Sequence, residues 1–316
     1  MSRLPVLLVG AGTRASTVYG PLLTDHLADR FALVGVVGRG EPRARALGER
    51  LGVPWSTSMD TAAGWGPRGA IVAVSSPENA AVAHRVLDRG LAALLETPLA
   101  LDVSDAEALA ARIAEDGAIV EVAEQNPRFP DLAGVIAAVR GGAIGDVRLV
   151  ASDGAGYRYH GAAVARALLG KARGRIATGQ RAVFPEVDVG RGVVEEVLVG
   201  TVRCDGGLFQ FRDAEAAWAG GPWTRGSWRA LGTTGEWADG RVAGSEVAPI
   251  EWLPGLDGDL QAAGKCLLDW LARIDGTITD TAWSAADALA DLRWIEAMQR
   301  SAILGGAPIA VYPPQP

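Results

Sequence analysis

The chain has 316 residues, 49% of them apolar and 21% charged, with a formal charge of −7 at neutral pH. That length accommodates about two domains with a large core, and the composition excludes a disordered or fibrous chain. The acidic balance argues against a nucleic-acid partner, whose binding face shows itself as a basic excess.

Residues 1–124 alternate short apolar runs with longer Ala/Leu/Arg stretches, the pattern of βαβ units around a parallel sheet buried on both faces. Strands are expected at 6–9, 33–37, 70–74, 92–95 and 118–122, with crossover helices at 41–51, 78–89 and 102–116, the last opening on an Asp or Ser N-cap. Pro21 falls inside the helix after the first strand, where an interior proline costs about 3 kcal/mol. A kink or restart is therefore predicted near Gly20-Pro21. Beyond residue 125 the runs 147–152, 193–203 and 207–212 are alternating or β-branched and separated by glycines, which suits a mostly antiparallel sheet. Helical stretches at 160–169, 259–273 and 284–303 are expected to cover one face of that sheet and leave the other open. The fold class is thus an α/β Rossmann domain over 1–124 followed by an α+β domain over 125–316 with a mostly antiparallel open sheet.

Two cysteines, Cys204 and Cys266, and three dispersed histidines offer no metal-ligand spacing, so no metal and no disulfide framework is expected. The opening MSRLPVLLVGAG holds too short an apolar run for a signal peptide or a membrane span. A cytoplasmic protein without a membrane partner is expected. Seven of the ten tryptophans fall between 218 and 283, which reads as core and subunit interface rather than substrate stacking.

The strongest local motif is Gly10-Ala11-Gly12-Thr13-Arg14-Ala15, directly after the first strand. In a GxGxxA at a first βα junction, Gly10 permits the tight turn, Gly12 lets a pyrophosphate approach the backbone, and Ala15 allows close helix packing. The anion would rest on helix N-terminal amides, starting at Thr13. The second strand runs into Gly38-Arg39, where an NAD site usually carries an acid for the ribose hydroxyls. A guanidinium there matches a 2′-phosphate instead, so NADP(H) is favoured over NAD(H), with Arg43 as a helper. Gly258 to Lys265 is spaced wrongly for a P-loop and lacks its Ser or Thr.

These residues, together with Val74-Ser75-Ser76-Pro77, Glu96-Thr97-Pro98, Asn126-Pro127-Arg128-Phe129-Pro130, Gly141 to Val147 and Leu231 to Gly235, resemble the Gfo/Idh/MocA oxidoreductases, the glucose-fructose oxidoreductase and inositol dehydrogenase type. The resemblance runs nearly end to end. It implies cofactor contacts at Gly10, Gly12, Thr13, Arg14, Ala15, Arg39, Ser75, Pro77, Glu96 and Pro98. It also implies a small-molecule substrate and a homo-oligomer formed through the C-terminal sheet.

The pattern breaks at two places. The family's Glu-Lys-Pro lysine is replaced by Thr97, and its Asp-x-x-x-His aligns with Gly156 and His160, so the histidine stays and the aspartate is gone. Around His160 stand Tyr157 and Tyr159, alternative proton donors. Reducing a ketone needs a positioned acid, worth roughly 10² to 10⁴ in rate, which threonine does not provide. A protonated imine brings its own proton, and a lysine about 4 Å away would repel it by about 4 kcal/mol at an effective dielectric of 20. The residues therefore point to an NAD(P)H-dependent reductase of a C=N or C=O group, with Thr97 lining the nicotinamide pocket and His160, Tyr159 or Tyr157 delivering the proton. Glu96 is expected to order its loop rather than act as an acid. The competing readings are a sugar or polyol dehydrogenase and a non-catalytic nucleotide-binding or regulatory protein.

Overall fold

The computed structural model describes residues 3–153, 158–188, 194–214, 227–238, 240–280 and 282–312. Contacts group the chain into two compact units, Met1–Phe129 with Glu251–Leu289, and Pro130–Ile250 with Ala290–Pro316. The first unit thus takes back residues 251–289, which the sequence reading had assigned to the second domain.

The first unit is built on a parallel sheet of β1 (Leu4–Val9), β2 (Phe31–Val37), β3 (Trp55–Ser56), β4 (Gly69–Val72), β5 (Ala92–Leu95) and β6 (Val120–Val122). Their order is β3-β2-β1-β4-β5-β6. Covered on both faces, β1 and β4 bury nearly every residue, which is why they read as continuous apolar runs. The crossover helices are α1 (Glu41–Leu51), α2 (Met59–Ala63), α3 (Asn79–Leu87) and α4 (Val103–Asp116). Gly52 and Gly117 close α1 and α4 in the left-handed conformation, at φ of 68° and 61°. Asp102 stands at the N-cap of α4 without a side-chain capping bond.

Pro21 does not break its helix. Helical backbone runs from residue 13 to 26, with π-helical turns at Ala15–Tyr19 and Leu22–His26 on either side of Gly20-Pro21. The helix does not restart at the proline, whose missing N–H falls between two widened turns.

The second unit carries α5 (Pro130–Arg140), β7 (Val147–Asp153), α6 (Arg158–Leu168), β8 (Gly174–Asp188), β9 (Val194–Cys204), β10 (Gly207–Asp213), β11 (Trp228–Gly232), β12 (Glu236–Ala238), β13 (Arg241–Val242) and β14 (Ser245–Glu246). After α7 (Gly258–Ile274) come α8 (Ala285–Ile303) and β15 (Ile309–Ala310). The nine strands order as β14-β13-β12-β11-β7-β10-β9-β8-β15. Only the β10–β7 pairing is parallel among them. Residues of α6 and α8 pack with Phe209, Phe211, Val150 and Leu198 into one core. The helix expected at 259–273 forms as α7 but packs on the Rossmann sheet, where Trp270 is fully buried and stacks on Phe31 at 6.3 Å.

Trp237, Trp270 and Trp283 are core residues and Trp228 and Trp252 are half-buried, while Trp218 and Trp223 lie outside the described residues. Among the described residues, no helix is long and apolar enough to cross a membrane.

Candidate active site

A parallel sheet with this strand order has its topological switch point between β1 and β4, where ligands bind beyond the carboxyl ends of the strands. The sequence-predicted cofactor residues of the first unit all follow those ends. Gly10 to Ala15 follow β1, Arg39 follows β2, Ser75 and Pro77 follow β4, and Glu96, Thr97 and Pro98 follow β5.

Gly10 has φ of 121°, and a Cβ there would lie 2.1 Å from the Ala73 carbonyl oxygen. Only glycine lets the loop after β1 press so closely on the segment after β4. Gly12 differs: a Cβ on it would meet nothing within 4 Å, because its Cα faces an open cleft of about 480 Å³. That cleft is lined by Ala11, Gly12, Thr13 and Ser16 from the loop and helix start and by Arg43, Ala46, Leu47 and Arg50 from α1. Arg50 also donates to the Ser16 carbonyl at 2.9 Å. Helix N-terminal amides and two guanidiniums around an unobstructed glycine form a cradle that fits a dinucleotide pyrophosphate.

Arg14 and Glu96 are engaged with one another. The Arg14 Nε donates to Glu96 Oε1 at 3.0 Å, and its Nη1 reaches Asp259 Oδ2 at 2.8 Å and Oδ1 at 3.1 Å. Desolvation opposes the charge on Arg14, but Glu96, Tyr19 and Asp259 outweigh it and raise its pKa above the ordinary arginine value. The buried Glu96 also accepts from the Tyr19 hydroxyl at 2.8 Å, Gln125 Nε2 at 3.2 Å and, on Oε2, the Thr97 backbone N–H at 3.1 Å. Burial in this setting, with the Glu96 carboxylate beside it, pushes the Tyr19 phenol well above its usual value. With four donors converging on it, Glu96 orders the loop that presents half-buried Thr97. Asn79 fixes the same loop by donating to the carbonyls of Glu96 and Pro98 at 2.6 and 2.7 Å, and the Thr97-Pro98 peptide is cis.

Arg39 lies at the surface, its side chain 83% exposed, and pairs with Glu78 Oε1 at 3.2 Å. Ser75 and Pro77 are exposed beside the 3-10 turn Ser76–Glu78.

In the second unit, Tyr159 and His160 occupy the first turn of α6, half-buried, with ring centroids 4.4 Å apart at 55°. Arg158 anchors that turn by donating to Asp213 Oδ2 at 2.9 Å and Glu196 Oε1 at 3.3 Å. Tyr157 and Gly156 lie outside the described residues. Sequence reasoning missed Tyr19, Asn79, Gln125 and Asp259. Asp259 is separated from Arg14 by 245 positions and carries no motif that points back to the glycine loop.

Residues 4–124 match the model of the Gfo/Idh/MocA group, an oxidoreductase family with an NAD-binding Rossmann fold. No curated protein matches the chain in sequence. Solved structures share the fold across both units. An oxidoreductase from Agrobacterium radiobacter in complex with NAD+, L-tartaric acid and magnesium superposes with a TM-score of 0.80 at 17% identity, covering 98% of this chain and 99% of its own. GenD2 from gentamicin A biosynthesis, in complex with NAD, gives 0.75 at 21% identity over 98% and 97%. A putative myo-inositol dehydrogenase from Sinorhizobium meliloti gives 0.74 at 18% over 98% and 100%.

Proposed function

We propose that this chain, whose residues 4–124 match the Gfo/Idh/MocA oxidoreductase model, is an NAD(P)-dependent oxidoreductase that works as an NADP(H)-dependent reductase of a C=N or C=O group in a small molecule. The observation that carries this reading is the loop after β5, held by Glu96 and Asn79, which presents a neutral Thr97 beyond the carboxyl end of that strand. A nicotinamide dinucleotide, when bound, supplies the hydride. Gly10, Gly12 and Thr13 would hold its pyrophosphate against the helix N-terminus, and Arg39 with Arg43 would favour a 2′-phosphate.

The neutral Thr97 hydroxyl neither donates a proton efficiently nor repels a cation. That combination suits an acceptor that arrives already protonated, such as an iminium. Proton delivery, where the acceptor needs it, is assigned to His160, whose imidazole can donate a proton through a ring nitrogen, with Tyr159 or Tyr157 as the alternative donor.

Two variants test the assignment. In His160→Ala, kcat/KM for carbonyl acceptors should fall at least about 10²-fold while NADPH affinity stays put; a loss within about threefold would remove His160 from the proton step. Thr97→Lys should raise carbonyl reduction and lower turnover of a cationic imine. The reverse outcome would overturn the charge argument.

A second reading, dehydrogenation of a sugar or polyol hydroxyl, is favoured by the name of the Sinorhizobium meliloti neighbour. Oxidation of a cyclitol or aldose by the unmodified protein, at a rate that Thr97→Lys does not improve, would decide for it.

A further inference from the structure

Arg39 and Glu78 belong to the segments after β2 and β4, the two strands that flank β1 in the sheet. Neighbouring strands lie about 4.8 Å apart, so those segments start about 10 Å from one another. The 3.2 Å contact between Arg39 Nη1 and Glu78 Oε1 therefore crosses the end of β1, the strand that delivers Gly10 and Gly12. Both side chains are open to water, 83% and 47% exposed, and an exposed pair of this kind contributes little to folding. Its position at the switch point is what gives it a consequence.

An adenosine ribose at such a crevice presents either a 2′-hydroxyl, for which a carboxylate is the matching acceptor, or a 2′-phosphate, for which a guanidinium is the matching donor. Glu41, the first carboxylate after β2, pairs with Arg45, and the carboxylate that meets Arg39 is brought from the β4 side by Glu78. We infer that Glu78 is the second half of the selectivity determinant, a carboxylate that accepts from the ribose of NAD(H) and competes with the 2′-phosphate of NADP(H) for Arg39. The inference rests on the reading of Arg39 as the phosphate contact. Glu78 moderates the preference that Arg39 creates, so the unmodified protein binds both cofactors with a modest bias toward NADP(H).

The test is a parallel fluorescence titration with NADPH and NADH of the full chain, Arg39→Gln, Glu78→Gln and Glu78→Ala, at low and at high salt. Glu78→Gln should tighten NADPH by about three- to tenfold and weaken NADH, with most of the gain lost at high salt. Glu78→Ala should move the ratio the same way, and unchanged apo melting temperatures would show that the fold is intact. An NADPH to NADH ratio that stays within about twofold, or moves toward NADH, in both Glu78 variants overturns the inference. Arg39→Gln separates the two layers: if it shifts the ratio toward NADH and the Glu78 variants do nothing, only the role of Glu78 fails. If it too leaves the ratio unmoved, the Arg39 reading fails and takes the inference with it.

Discussion

Ionisable groups sealed in the first unit fix its response to alkali. Cys266 on α7 is fully buried near Tyr19 and Arg128, and burial pushes its thiol from 9.0 up to about 12, against the pull of the Arg128 guanidinium. The folded state therefore keeps a proton that the unfolded chain gives up first. A raised folded pKa contributes stability that is complete below the unfolded value and disappears as pH rises through the folded one. The protein should accordingly lose stability between pH 9 and 12, by a total on the order of 4 kcal/mol from this thiol. Denaturant melts across that range will show it, and Cys266→Ala should flatten the slope by about one proton. An unchanged slope in the variant would mean that the thiol ionises freely in the folded protein. The same burial decides how Arg128 behaves. Desolvation opposes its charge, yet Cys266, Glu121 at 2.6 Å and Asp269 at 3.0 Å together outweigh it and raise its pKa. Burial also raises the Glu121 carboxyl, an effect that Arg128 and the Trp283 backbone N–H partly offset.

Elements are joined through close approaches that no hydrophobic period announces. Gly179 on β8 and Gly200 on β9 are directly opposite one another, and Met298 of α8 lies in the gap their missing side chains leave. A methyl group on Gly179 would sit 2.1 Å from the Met298 carbonyl oxygen, backbone that has nowhere to retreat. Gly179 N–H also donates to Ser301 Oγ at 2.9 Å, and Ser301 in turn donates to the Ala307 carbonyl at 2.6 Å. Gly179→Ala should therefore destabilise the protein by about 1 to 3 kcal/mol or more through overpacking, read from the denaturant midpoint. A neutral result would mean that α8 shifts at no cost. The sequence located α8 and β9, expected at 284–303 and 193–203, but placed no strand at β8. It said nothing of the glycine pair, since a glycine in a strand looks the same whether it faces a helix or water. The π-helical turns were hidden for a related reason. A proline marks where the ladder loses a donor, but whether the chain kinks or widens depends on what the next side chains reach. Here Tyr19, at the end of the first widened turn, reaches Glu96.

At the scale of the whole chain, the order of motifs was legible and the path was not. The glycine loop and five of the strands around it follow from local patterns and the loop at Thr97 from the family resemblance, whereas the return of residues 251–289 to the first unit depends on contacts between residues far apart in sequence. Those contacts are strong. Trp270 fills the space over Gly69, where a Cβ would come within 2.7 Å of its ring, and stacks on Phe31. Asp269 and Asp259 take the guanidiniums of Arg128 and Arg14, and Trp252 Nε1 donates to the Arg128 carbonyl at 2.8 Å. Without α7, the first unit would expose the seat of Trp270, whose loss alone is worth about 3 to 5 kcal/mol. It would also leave Arg128 short of a buried partner, a cost of the same order. Residues 1–129 expressed alone should thus show no cooperative unfolding transition and no saturable NADPH binding. Joining residue 129 to residue 251 through a short Gly-Ser linker should restore both, since the Trp252 bond to Arg128 holds the two chain ends side by side. Cooperative melting of the 1–129 fragment by itself would show that α7 is an appendage to the nucleotide-binding unit rather than a part of its core.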